Sequence, residues 1–128
     1  PEERFLFLTV DRTLSRLDLI TGEMTTLSAR EEAVVGSDGL YFHEGSLVVV
    51  RPRLGGVSQL FLNEAMDAVV DYRELVYDHP DFAYPTTGVV VGDELVFVAT
   101  SYADVPRTPG AEEQHRDVRI HRVGLKGR

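Results

Sequence analysis

The chain has no cysteine. That excludes disulfides, thiolate metal sites and a cysteine nucleophile, and it leaves the redox compartment open. It has no long apolar run either: the longest stretches span only about half a dozen residues, far short of the ~20 a membrane-crossing helix needs. No signal-peptide pattern opens the sequence, and because it starts on Pro1 rather than methionine, residues upstream are expected. Positive charge is scarce: 13 Lys and Arg stand against 21 Asp and Glu, a formal net charge of −8. Nucleic acid and anionic membranes both require a basic face, so neither is expected as a partner. No His-Glu-x-x-His motif occurs, and Ser101 lacks the Gly-x-Ser-x-Gly elbow of a serine hydrolase. What is present is 43% apolar and 9% aromatic residues in 128, enough for one domain with a real core.

The most informative positive feature is a repeat. Residues 34–50 read VVGSDGLYFHEGSLVVV and residues 83–98 read AYPTTGVVVGDELVFV. Each is a polar approach, a glycine, a short apolar run, an acidic turn and a stronger apolar run. Gly39 and Gly88 lie 49 residues apart, and the Leu47–Val50 and Leu95–Val98 runs lie 48 apart. A period of roughly 40–50 residues built from short strands is the mark of a blade array. A second repeat agrees with it. Leu14-Ser15-Arg16-Leu17, Val57-Ser58-Gln59-Leu60 and Ile120-His121-Arg122-Val123 share an apolar-polar-polar-apolar pattern, and each follows an apolar strand and a polar loop. That pattern places all three as the third strand of a blade.

Alternation and turn signals predict strands at Phe5–Val10, Leu14–Ile20, Met24–Leu27, Leu40–His43, Leu47–Arg51, Val57–Leu62, Ala68–Tyr77, Gly88–Val91, Leu95–Thr100 and Val118–Leu125. Ser28–Ser37, the Pro- and Gly-rich Arg51–Gly56, His79–Pro85 and Ser101–Arg116 read as connections, and the LKGR terminus as a frayed end. One segment is ambiguous. Leu62, Ala65, Met66, Val69, Arg73 and Val76 also fit one face of a helix. A strand is preferred because the fourth strand of the blade falls due there.

The expected fold is therefore all-β: a partial β-propeller of about three antiparallel blades and roughly ten strands, with blades at about 1–33, 34–82 and 83–128. Ten strands do not close a propeller ring. The remaining blades are expected on another segment, on another chain or in a second copy. The alternative at this stage is a small closed barrel holding a lipophilic ligand, which the 48–49-residue period disfavours.

The segments SDGLYFHEGSLVVV, VSQLFL, PTTGVVVGDELVFVATS and RIHRVGLKG resemble the C-terminal half of the gluconolactonase/regucalcin-like six-bladed propellers, and more distantly the paraoxonase and strictosidine-synthase-like propellers. The resemblance implies hydrolysis of a lactone or ester, with a divalent metal in the channel, calcium or zinc. The family's metal is held by a Glu, an Asn and the Asp of a Pro-Asp-Gly motif. Only the last has a counterpart, Ser37-Asp38-Gly39, with Ser in place of Pro.

Propeller function concentrates just before the innermost strand of each blade, which here means Asp38 and Thr87. Asp38 can ligate a hard cation or act as general base on a metal-bound water. Its plainer role is an Asx turn before Gly39. Thr87 offers a hydroxyl to a small-molecule ligand or merely packs the channel wall. His79, in the HPDFAYP connection, can shuttle a proton or simply order its loop. Arg51 suits a substrate carboxylate or phosphate, and Ser101 and Tyr102 suit hydrogen bonds to a polar ligand. A non-catalytic propeller, acting as scaffold or ligand sensor, is the rival reading.

Overall fold

The computed structural model describes residues 4–101, 105–106, 108–110 and 116–127. Among the described residues, ten strands form three antiparallel sheets that follow one another along the chain. The first sheet holds β1 (Phe5–Val10), β2 (Thr13–Asp18) and β3 (Met24–Leu27). The middle sheet holds β4 (Gly39–His43), β5 (Ser46–Arg51), β6 (Gly56–Leu62) and β7 (Val69–Tyr77). The third holds β8 (Gly88–Val91), β9 (Glu94–Val98) and β10 (Ile120–Gly124). Each is a simple meander, and none curls into a closed barrel. The small-barrel alternative is therefore set aside. The ambiguous segment is a strand: β7 pairs antiparallel with β6 along its length, with irregularities at Val57/Ser58 and Phe61/Leu62.

Side-chain alternation in the middle sheet builds two cores. Leu47, Val49, Leu60 and Leu62 point to one face and pack with Leu14 and Leu27 of the first sheet. Val48, Val50 and Val57 point to the other and pack with Leu95 and Phe97 of the third. Successive residues of a strand face opposite sides, so two strands buried along their whole length feed both cores at once.

Polar ties fix the sheets against each other. Arg16 donates to the Ala65 carbonyl at 2.7 Å and Ser37 to the Thr9 hydroxyl at 2.8 Å, joining the first sheet to the middle one. The buried Gln59 amide is fully used. Its nitrogen donates to Ser46 Oγ at 2.7 Å and to the Lys126 carbonyl at 2.9 Å, and its oxygen accepts the Lys126 N–H at 2.9 Å. The terminal segment expected to fray is thus pinned at Lys126. A buried amide left unpaired would cost about 1–3 kcal/mol, which is why this clamp holds.

Several boundaries differ from expectation for identifiable reasons. β2 stops at Asp18 instead of Ile20, because Asp18 Oδ1 accepts the N–H groups of Ile20 and Thr21 and turns the chain. The polar connection at 28–37 contains one helical turn, α1 (Glu31–Val34), which drops Ala33 and Val34 into the first core. β9 ends at Val98, where the N–H groups of Ala99 and Thr100 turn to the Arg119 carbonyl.

Candidate functional site

Asp38 stands immediately before β4. Its N–H donates to the Val50 carbonyl at 2.9 Å, which fixes the entry to the strand. Its side chain is exposed and takes no backbone hydrogen bond from the described residues. Asp18 marks the contrast, since its carboxylate closes a real Asx turn. The turn-capping role considered for Asp38 is therefore performed elsewhere in this chain and not at Asp38.

The cleft around Asp38 is lined by turns of the first and middle sheets and by the connection that leads into the third, and measures about 560 Å³. The β1–β2 turn supplies Asp11 and Arg12. The approach to β4 supplies Ser37 and Asp38. The β5–β6 loop supplies Arg53, and the connection into the third sheet supplies Tyr84. Two carboxylates and two guanidinium groups thus share one opening. Both guanidinium groups are exposed, and Arg12 pairs with Glu31 at 2.7 Å. Tyr84 carries a φ of 58° directly before Pro85, a position that proline's ring normally drives to extended backbone. Such a residue costs on the order of 1–3 kcal/mol and persists only where its surroundings hold it. Here Ser101 Oγ donates to the Tyr84 carbonyl at 2.8 Å.

The other sequence-chosen residues are dispersed. Thr87 lies beside the middle sheet's edge strand: Tyr41 Oη is 3.0 Å from its hydroxyl and accepts the Gly88 N–H at 2.6 Å. Arg51 is not in the cleft. It is the last residue of β5, only 3% exposed, donating to the Glu32 carbonyl at 2.7 Å and paired with Glu74. Glu74 also accepts from Tyr72, whose hydroxyl is raised above its ordinary pKa by burial and then by that bond. Arg51 is thus a buried tie, and Arg53 two residues on is an exposed cation that lines the cleft. Ser101 supports Tyr84 instead of facing the opening. Tyr102 lies outside the described residues. His79 sits beyond β7, half-buried against Phe82 and His121.

Three residues escaped sequence reading: Asp11, Arg53 and Tyr84. Asp11 and Arg53 look like ordinary turn residues until the sheets stack and bring their turns together. Tyr84 had one signal, an aromatic wedged into a proline-bounded connection.

The carboxylates that line this cleft, among the described residues, are those of Asp11 and Asp38. Among the described residues, neither group of three ligating side chains close enough to hold an ion includes Asp38. Comparison with protein-family models, with curated proteins and with solved structures finds no match.

Proposed function

We propose that the three sheets are successive blades of a β-propeller, and that the Asp38 cleft is the mouth of its channel, where a lactone or ester is hydrolysed. The observation that carries this reading is the convergence of turns from the first and middle sheets, and of the connection into the third, on a carboxylate that no turn employs. Two further features support the blade arrangement. A polar residue at the same place in β2 and β6, Arg16 and Gln59, reaches forward to a backbone carbonyl just past the third strand of the next sheet. Arg122 is the equivalent residue of β10, on the side facing away from the middle sheet. That outer side also exposes Val89, Val91 and Ile120, and the first sheet's outer side exposes Leu6, Val10 and Met24. Further blades, on another segment, another chain or a second copy, would cover both faces.

Water attack on an ester carbonyl needs a proton acceptor and positive charge near the developing oxyanion. Asp38 suits the first task, and the Arg53 guanidinium brings positive charge to the same opening. A channel cation, calcium by resemblance or zinc, would supply Lewis acidity, with Asp38 and Asp11 as this chain's oxygen donors and the rest from other blades. A rival is favoured by one observation, the incomplete donor set: a non-catalytic propeller that binds a small ligand without turning it over.

The test is calcium titration of the protein by calorimetry, alongside hydrolysis of a panel of lactones and aryl esters. Wild type is compared with Asp38→Ala. The hydrolase reading expects at least a tenfold loss of calcium affinity and of turnover. Unchanged affinity and unchanged turnover in the variant would sink it. Ligand binding without turnover in wild type selects the rival.

A further inference from the structure

We propose that His79, Asp81 and His121 form a binding site for a divalent transition metal, Zn²⁺, at the seam between the residue 78–87 connection and β10. This site is separate from the Asp38 cleft and does not rest on the hydrolase reading. One ligating atom from each of the three residues lies within 4.8 Å of the others. Both imidazoles address the same carboxylate oxygen: Asp81 Oδ2 is 3.1 Å from His121 Nε2 and 4.0 Å from His79 Nδ1. Ligands of a tetrahedral zinc, each ~2.0–2.2 Å from the metal, sit about 3.3 Å apart. The His121–Asp81 pair is already at that spacing. The widest pair has to close by no more than about 1.5 Å, within reach of side-chain rotation.

The surroundings orient the set. Arg119 pairs with the other carboxylate oxygen, Oδ1, and so leaves Oδ2 turned to the histidines. Such outer partners commonly aim metal ligands. Phe82 packs on both rings, 5.3 Å from His79 and 5.5 Å from His121, and the two imidazoles meet edge-on at 4.8 Å. All three ligating residues are half-buried. Two neutral imidazoles with one carboxylate suit zinc and its neighbours, whereas calcium takes oxygen alone. Three protein ligands leave a fourth position for water or a ligand. Ligation has one local cost: His79 Nδ1 accepts the Asp81 N–H at 3.1 Å and would exchange that bond for the metal. The return is a cross-link between segments 40 residues apart, so zinc binding should stabilise the fold.

Zinc titration of the untagged chain, by calorimetry and thermal unfolding, tests the site. One Zn²⁺ per chain and a zinc-dependent rise in Tm are expected, with no such rise from Ca²⁺. His79→Ala and His121→Ala should each lower zinc affinity at least tenfold. His43→Ala should leave it unchanged, because His43 belongs to a second group with Glu44 and Asp93 at the opposite end of the sheets. Circular dichroism of each variant guards against simple unfolding. Co²⁺ gives a second readout in folded wild type, as visible d–d bands that are lost in His121→Ala. Absence of saturable zinc binding overturns the proposal. So does binding that survives both His79→Ala and His121→Ala, or that is lost only in His43→Ala.

Discussion

The middle and third sheets carry the same sequence repeat but live in different surroundings. In the middle sheet every residue of β5 and β6 is buried, six and seven in succession. In the third, β9 alternates between buried and half-buried positions, and β8 between half-buried and exposed ones. The composition of the strands hardly differs, since β5 reads SLVVVR and β9 reads ELVFV. What differs is cover: among the described residues, a sheet packs against each face of the middle sheet and against only one face of the third. An apolar strand thus records the environment it is suited to, and burial records the neighbours it has.

Core substitutions should give the largest contrast. Leu60→Ala removes a fully buried side chain from the middle sheet and should cost about 2–5 kcal/mol. Val89→Ala on the third sheet's outer face should stay within about 0.5 kcal/mol, since Val89 is exposed. Urea unfolding of both variants measures the pair. A large cost at Val89 would mean that this face is covered in solution.

The repeat's own glycines separate the two copies next. Neither has a positive φ; both are required by close approach. A Cβ at Gly88 would meet the Val96 carbonyl oxygen at 2.3 Å and Phe97 Cβ at 2.7 Å, so backbone has to move. A Cβ at Gly39 would meet the Tyr41 ring, at 2.6 Å from its hydroxyl. A ring can swing, although here it would give up its bond to Gly88. Gly88→Ala should therefore cost about 1–3 kcal/mol, and Gly39→Ala less. Equal costs in denaturant would erase the distinction.

A smaller, pH-dependent effect belongs to the first sheet. The hydrogen bond from Arg4, at 2.6 Å, lowers Asp18 from 3.8 to about 2. A carboxyl depressed in the folded state stabilises fully above its unfolded pKa and loses that contribution as pH falls through the folded one. Stability should therefore decline between about pH 4 and pH 2. Arg4→Ala should flatten that decline, as read by denaturant midpoints across the range. An identical slope in wild type and variant would remove the pair from the acid response.

Most of the architecture was legible because strand order depends on local alternation and turn chemistry. The shared pattern at Leu14, Val57 and Ile120 aligned β2, β6 and β10, and Gly39 and Gly88 aligned β4 and β8. Errors fell where a side chain redirected the backbone, as Asp18 does, or where a distant partner held it, as Gln59 holds Lys126. The site was less legible. Asp38 was singled out through its place in the repeat. Arg51 was expected in an open loop and is instead buried against Glu74, while Arg53 stays exposed, because a sequence does not say which of two arginines beside a proline turns inward.

The sequence alone determined an all-β chain of ten strands, the repeat that spaces them, and the lack of any cysteine chemistry. Period-two patterning and turn residues act over a few residues, so they can be read without a fold. Tertiary structure alone decided which turns share the Asp38 cleft, and that His79 and Asp81 meet His121 from 40 residues away. Those groupings arise from stacking one sheet on the next, and no local pattern encodes the partner across a seam.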